Sequence, residues 1–563
     1  MTTVSTDVIE GIKTLMTDPT QNDGEKAPGP TAVLVQAKGL TIRTRAGVSL
    51  LSDISFHIEP GELVALTGLS RSGKSTLLQS LAGLMEPASG EILIDGINLY
   101  ANLKAFRSTI GFVSAEFALQ QNLTVTEILQ DAARLRLPRS ASSHNRKQRV
   151  LTLLETVGLT QVTDRRVGSL SEVEKRRLSI AVELIGYPKL LLLDESAEPL
   201  TPFEEVQITI LMRELSRQGL TIIQVNARSR SAGVSDKIIF LAPGGLLAWF
   251  GPADEAFVYL KSLIPRGMVK DLFNLQEALE VLVNPQLRDG VEWAKRFKDH
   301  AAYEKYVDDP LHNRYPDLLL QTRPLLRIRL RNSSKEKLPP AIIPRASAVQ
   351  KFILLLRRDF RSLWRDKTAV LMLAIPPLVA LVHLVLSPNT QLNSVVGDPS
   401  RPPIVLGLLV FLVILTAALL VQNEILKERA VYQREHRTSS LLFPYILSKV
   451  WLVGILAIYQ GLVWTILHSF GEIGLGLAGG LQALFPSGIT LTLVAFVGGI
   501  LGLMISALSR TAVTTTGWVL LLTVPQLLFI INPLSHWSKL AIMSLVLIVL
   551  LVGIQHVAGN VRT

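Results

Sequence analysis

Two short segments carry residues whose types and spacing could do chemistry together. The first reads Gly68-Leu69-Ser70-Arg71-Ser72-Gly73-Lys74-Ser75-Thr76, two glycines with four residues between them, then a lysine and two hydroxyls. Glycines at those places let successive backbone N–H groups turn inward around a chain of phosphates. A helix starting at the lysine would aim its positive end at the same anion. Lys74 is then placed to reach the terminal phosphates, and the Ser75 hydroxyl to ligate Mg²⁺. Gly68, Ser70, Arg71, Ser72, Gly73 and Thr76 complete the cradle.

The second segment is Leu190-Leu191-Leu192-Leu193-Asp194-Glu195. An apolar run of this length suits a buried strand, and the strand ends on two adjacent carboxylates. Asp194 is read as the acid on the Mg²⁺ side. Glu195 is read as the group that orients or deprotonates an attacking water. Either segment alone is a weak signal, since many strands end in acids. Together they predict a site for ATP and Mg²⁺, with Ser75 and Asp194 on the metal and Lys74 and Glu195 as the catalytic pair.

The elements that must position these residues follow from the surrounding pattern. Apolar strands are expected at 33–35, 40–42, 54–58 and 63–66, then the glycine loop and a helix from Ser75 to Leu84. Pro87 and Gly90 punctuate before a strand at 92–94 with a turn at Asp95-Gly96. Helical periodicity runs over about 124–160, and two buried strands follow at 190–193 and 220–225. Alternating strands and helices around a phosphate loop predict a parallel α/β core of P-loop NTPase type.

The 563 residues are too apolar for a wholly soluble chain, at 48% hydrophobic and a mean hydropathy of +0.36. The charge is unevenly spread. It concentrates before about residue 367, and long apolar runs dominate after it. The expected domains are a disordered tail over 1–32 (with a short helix at 7–16), a nucleotide-binding domain over 33–263, a linker over 264–346, an amphipathic connecting helix over 347–367 and a membrane domain over 368–563. The linker is read as holding a helix at 274–282 and a Pro-rich end. The polar first 29 residues do not look like a secretory signal. With no cysteine, disulfides, thiolate metal sites and a Cys nucleophile are excluded. A net charge of +11 is read as membrane-proximal lysine and arginine rather than a nucleic-acid face.

Six spans of roughly 20 residues each are expected at 368–387, 403–423, 446–468, 486–508, 512–531 and 539–557, an all-α membrane domain. Arg357, Arg358, Arg361 and Arg365 oppose Phe352, Leu355, Leu356, Phe360, Leu363 and Trp364, a pattern for a helix lying on a lipid surface. A charged loop, Glu424 to Tyr445, falls between the second and third spans. Its basic residues, with Arg510 and Arg562, place both termini and the nucleotide-binding domain in the cytosol by the positive-inside rule. Pro376-Pro377 should kink the first span. His383, Gln460, His468, Thr514-Thr515-Thr516 and Gln526 are the polar groups inside the spans.

At this point the chain resembles the ATP-binding-cassette family over nearly its whole length beyond residue 32. The order of cassette before membrane domain, the segment Leu178-Ser179-Ile180-Ala181-Val182-Glu183-Leu184 and the stretch Arg434-Glu435-His436-Arg437 leading to Lys449 are similar to the G-subfamily, or White type. The resemblance implies an ATP-hydrolysing half-transporter that works as a dimer with a second half-transporter. Each ATP would be held between one chain's phosphate loop and the other chain's signature loop. It also implies a translocation path between the second and fifth spans of the two chains.

The departures from the family pattern are as informative. The signature Leu-Ser-Gly-Gly-Gln stands here as Leu170-Ser171-Glu172-Val173-Glu174, so Ser171 remains to touch a nucleotide but both glycines are gone. A carboxylate about 4 Å from a phosphate charge is repelled by roughly 4 kcal/mol at an effective dielectric of ~20, up to about a thousandfold in closure. Ala115 stands at the usual Q-loop glutamine, Thr201 at the D-loop aspartate and Ala227 at the switch histidine, and no aromatic occupies 41–46. Two functions stay open: an ATP-driven exporter of an unidentified substrate, or an ATP-binding subunit that hydrolyses poorly and serves as a regulatory or heterodimer partner. In either, the helix 347–366 and the charged loop 424–445 are expected to carry cassette closure into the spans.

Overall fold

The computed structural model describes residues 32–44, 46–195, 200–225, 232–264, 277, 290–312, 346–386, 401–438, 442–474, 481–509 and 511–531. Its chain divides into two compact units, 1–346 and 347–563. Residues 1–31 of the expected tail, the expected helix at 274–282 apart from residue 277, the Pro-rich end of the linker, Ala227 and the sixth span lie outside the described residues.

The first unit holds two sheets. The smaller is antiparallel and has the order β2-β1-β4-β5: β1 Val35–Arg43, β2 Ser49–Ile58, β4 Ser89–Ile94 and β5 Ile97–Asn98. The strands expected at 33–35 and 40–42 are one strand here. Its register shifts between Ala37 and Leu40, where Gly39 takes a positive φ of 59°. The larger sheet has six strands in the order β10-β9-β3-β8-β7-β6. These are β3 Leu63–Gly68, β6 Ile110–Val113, β7 Leu190–Leu193, β8 Thr221–Val225, β9 Lys237–Ala242 and β10 Leu246–Pro252. From β9 to β6 every pairing is parallel, and only β10 runs antiparallel.

The continuous apolar runs are explained by burial on both faces. Leu190, Leu192 and Ile223 face one core, while Leu191, Leu193 and Ile222 face the other, as the two-residue period of a strand requires. The helix α1, Lys74–Leu81, follows β3 directly. On the second core lie α2 Val125–Arg136, α3 Ser143–Thr156, α4 Glu172–Leu184 and α5 Pro202–Arg217. The helix α6, Ala253–Ser262, follows β10.

Residues 290–312, expected in the linker, pack on the first core instead. The helix α7, Gly290–Lys298, presents Trp293 and Phe297 one helical turn apart, and both are buried. Phe297 meets Trp249 of β10 at 5.5 Å between ring centroids, and Trp249 stacks on Tyr259 at 4.9 Å. Trp293 and Phe297 both fall within the stretch expected to be linker.

Buried arginines hold α4 in place. Arg136 on α2 makes a fork–fork pair with Glu183, both bonds at 2.8 Å, and also donates to the carbonyl of Val182. Arg149 on α3 donates to the last helical carbonyl, Leu184 O, and lies 3.8 Å over the Tyr187 ring. Both place positive charge at the C-terminal end of α4, where the helix dipole favours it.

In the second unit the amphipathic helix α8 runs Ala348–Arg365, capped by Ser347 and Gln350. The first expected span is interrupted. Helix α9, Lys367–Leu373, gives way at Ala374 to α10, Ile375–Leu386, directly before Pro376-Pro377. Next come α11 Arg401–Val421, α12 Glu424–Thr438, α13 Leu442–Gly474, α14 Leu481–Leu508 and α15 Ala512–Ile531. The charged stretch expected to be a loop is largely the helix α12. It has no proline or glycine and is rich in Glu and Arg, which favour helix. Three described helices are long and apolar enough to cross a bilayer, Gly407–Arg437, Leu442–Leu467 and Gly488–Leu508, with shorter apolar helices at Lys367–Val382 and Ala512–Thr523. Gly498 and Gly502 let α14 approach α11 closely. A Cβ there would stand 2.7 Å from Ile414 O and 2.5 Å from Ala418 O, the small-residue packing common in membrane bundles.

Breaking one side of the Arg136–Glu183 pair should leave an uncompensated buried charge, a loss of about 3–5 kcal/mol. Arg136→Met is therefore expected to lower the denaturation midpoint of the chain clearly, and Glu183→Gln in the same chain to recover part of it. An unchanged midpoint in Arg136→Met would show that the pair does not hold α4.

Candidate functional site

The phosphate loop leaves β3 at the half-buried Gly68 and enters α1 at Lys74. Two glycines make the turn possible. Gly68 has φ +145°, and a Cβ there would lie 2.3 Å from Leu241 O. Gly73 has φ +91°, and a Cβ there would lie 2.6 Å from the Leu51 side chain. Any larger residue would push the loop off the sheet. Arg71 also takes a left-handed conformation, φ 64°.

Lys74 Nζ donates to Gly68 O at 2.9 Å and Leu69 O at 3.0 Å, so the ammonium lies in the mouth of the loop that a phosphate chain would fill. Burial lowers its pKa, opposed by the charges of Glu195 and Asp194. Ser75 Oγ donates to Asp194 Oδ1 at 2.9 Å, and the Glu195 N–H donates to the same oxygen at 2.9 Å. Asp194 is buried and its own N–H donates to Val113 O, one step beyond the β6–β7 ladder. The two predicted metal ligands thus meet, with Glu195 beside them.

The residues present fit a triphosphate with Mg²⁺. Ser72 Oγ is buried in the loop and finds no hydrogen-bond partner among the described residues. Among them no cluster of three or more His, Asp or Glu could cage a metal by itself. A hydroxyl, one carboxylate and ligand phosphates are the donor set Mg²⁺ ordinarily takes. Ser70 and Thr76 belong to the same loop and helix start.

Ser171 is placed differently. Among the described residues no hydrogen bond or ion pair joins it to the loop. It caps α4: its Oγ accepts from Glu174 N–H at 3.4 Å, and Glu174 Oε2 accepts from Ser171 N–H at 2.8 Å. Glu172 pairs with Lys175 at 2.6 Å and Glu174 with Arg165 at 3.5 Å. The positive end of α4 is therefore already answered by its own carboxylates. Thr201 likewise caps α5 in a reciprocal pair with Glu204, with Pro202 at the first helical position. Ala115 follows β6 and brings no side-chain amide; Gln121 is turned toward Leu119 O at 3.3 Å.

Reading the sequence alone missed Arg176. It sits on α4 inside the basic run Lys175-Arg176-Arg177, which looks like a solvated face, yet it is buried and donates to Ser114 O and Asp194 O. It also missed a buried ion cluster in the second unit. Lys449 of α13 meets Asp359 of α8 at 3.1 Å and Glu428 of α12 at 2.7 Å, with Glu424 at 3.8 Å. Arg358 pairs with Glu435 at 2.6 Å. Burial pushes the Asp359 carboxyl up, with Lys449 opposing. Of the polar groups in the spans, Gln460 donates to Val413 O at 3.0 Å and to Thr416. Thr514 donates to the carbonyl of Thr511 just before α15, Thr515 and Thr516 donate to that of Ala512, and Thr515 also reaches Asn423 at 2.7 Å. The side chains of His383, His468 and Gln526 lie outside the described residues.

Residues 51–198 match the family described as ABC transporter, and residues 350–537 the family described as ABC-2 type transporter. The ABC transporter ATP-binding/permease protein Rv1747 of Mycobacterium tuberculosis is 28% identical over 446 residues, 78% of this chain and 47% of its own length. A broad substrate specificity ATP-binding cassette transporter, ABCG2, of Bos taurus is 28% identical over 492 residues, 82% of this chain and 72% of its own. The methionine import ATP-binding protein MetN of Streptococcus pyogenes is 31% identical over 243 residues, 41% of this chain and 68% of its own. The chain thus spans about half the length of the Mycobacterium protein.

If Lys74 is the phosphate-side cation, Lys74→Ala should weaken ATP binding by about 10- to 100-fold, the range for a charge-assisted hydrogen bond. Equilibrium binding of ATP to the purified chain measures it, and unaltered affinity would remove Lys74 from the site.

Proposed function

The chain belongs to the ABC transporter family, in the G-subfamily order of ATP-binding domain before ABC-2 membrane domain, and from that premise we propose that it is a half-transporter exporting a substrate by binding and hydrolysing ATP with Mg²⁺. The observation that carries this reading is the meeting of Ser75 and Asp194 at 2.9 Å, with Glu195 next in the chain. Mg²⁺ when bound would neutralise charge developing on the transferred phosphoryl group. Lys74 and the loop amides would hold the phosphates, and Gly68, Ser70, Arg71, Ser72, Gly73 and Thr76 would shape the cradle. Glu195 would orient the attacking water and accept its proton.

In this reading the working unit is a dimer with a second half-transporter, and Ser171 faces the partner's nucleotide. The chain sits in a membrane with its cassette and termini in the cytosol, which the lysine and arginine distribution supports. Lipid and the exported substrate are its other partners; nucleic acid is not. The buried Arg358–Glu435 pair supports α8 and α12 as the elements that pass closure into the spans.

A second reading has its own observation. The N-terminus of α4 is filled by Glu172 and Glu174, each already paired. A helix end quenched in this way attracts a phosphate weakly. That favours a subunit that binds ATP but turns it over slowly, as the heterodimer or regulatory partner of a chain with a glycine-rich signature.

Two measurements separate these readings. For the first reading, Glu195→Gln should lower the ATPase rate of the purified chain in lipid by about 10²- to 10⁴-fold, the usual contribution of a general base; equal rates would reject hydrolysis by this route. Restoring glycine at Glu172 and Val173 together should raise the rate by at least about 10-fold, within the electrostatic bound. A rate unmoved by those glycines would mean the signature does not limit turnover.

A further inference from the structure

We propose that Arg176 is a positioning residue for the metal-side acid, its guanidinium fixing the peptide that joins Asp194 to Glu195 from the far side of the sheet end. The inference deepens the reading of Asp194 as the Mg²⁺ carboxylate and rests on it.

The strands β6 and β7 pair in parallel through Val113 and Leu193, and the Asp194 N–H donates to Val113 O at 2.9 Å. Just beyond, the carbonyls of Ser114 and Asp194 leave the β6–β7 ladder. Arg176 supplies both donors, one N–H to Ser114 O at 3.1 Å and another to Asp194 O. A planar fork can span two strand ends in a way that an ammonium or an amide cannot.

The peptide so held is the one that matters. Its carbonyl is Asp194 O, its N–H is that of Glu195, and that N–H donates to Asp194 Oδ1. Fixing the carbonyl therefore sets the plane from which the Asp194 carboxylate reaches Ser75 and from which Glu195 departs. The neighbouring basic residues do other work: Lys175 pairs with Glu172, and Arg177 binds Val157 O and Gln207.

Arg176 is 4% exposed, and its hydrogen-bond partners among the described residues are two carbonyls rather than a carboxylate. A cation buried this way is costly unless nearby negative charge offsets it. Burial pulls its pKa down to about 10, and the charge of Asp194 opposes that fall.

The test measures ATP affinity of the full chain in lipid, with and without Mg²⁺, for wild type, Arg176→Met and Arg176→Lys. Wild type should gain affinity on adding Mg²⁺. Arg176→Met should keep its metal-free ATP affinity within about 2-fold and lose about 10-fold or more of the Mg²⁺ gain, the scale of a lost charged hydrogen bond. Arg176→Lys, which keeps the charge but not the fork, should fall between the two, and it carries the comparison if the Met variant does not fold. Equal losses with and without Mg²⁺ would indicate a structural role and overturn the proposal, as would an undiminished Mg²⁺ gain in the variants. No Mg²⁺ gain in wild type would instead sink the metal reading itself.

Discussion

One hydrogen bond, Ser75 Oγ to Asp194 Oδ1, joins residues 119 positions apart. It exists only because the parallel sheet ends β3 and β7 at the same edge with β8 between them. The all-apolar strands are buried on both faces, so a slip by one residue would exchange the two cores. The glycines at 68 and 73 let the loop turn where a side chain would strike Leu241 or Leu51.

Helix α4 is a second constraint. It is tied by Arg136 and Arg149 at one end and by Arg176 near the other, each from within the protein. Its first turn carries the altered signature, closed by its own cap and two ion pairs. Helix α4 therefore links the end of β7 to a first turn that carries Glu172 and Val173 where the family pattern has glycines. The Ser75–Asp194–Glu195 edge proposed for the metal and a signature segment closed by its own carboxylates stand in one domain, and this leaves both functional readings physically coherent.

The site was legible in sequence because its chemistry is local. A glycine loop before a lysine and a leucine strand before two acids each declare themselves within nine residues or fewer. The parallel core followed from the same runs. What did not show was anything decided by long-range packing. Arg176 reads as surface charge until the helix is docked. Trp293 and Phe297 read as linker until β10 offers them a face. The stretch 424–438 reads as a loop because charge outweighs periodicity, yet Lys449 and Arg358 give its acids a buried destination as a helix.

The second unit shows the same logic in another medium. Small residues bring α11 and α14 together, and Lys449 gathers carboxylates from two other helices. The edge where Ser75 meets Asp194 is the place to test. The most direct measurement is a double-mutant cycle on Mg²⁺-ATP affinity, using Ser75→Ala, Asp194→Asn and the two combined. Residues that share one ion should couple by at least about 0.5 kcal/mol, beyond the error of additive sites. Losses that simply add, or an affinity indifferent to Mg²⁺ in the unaltered chain, would contradict the account.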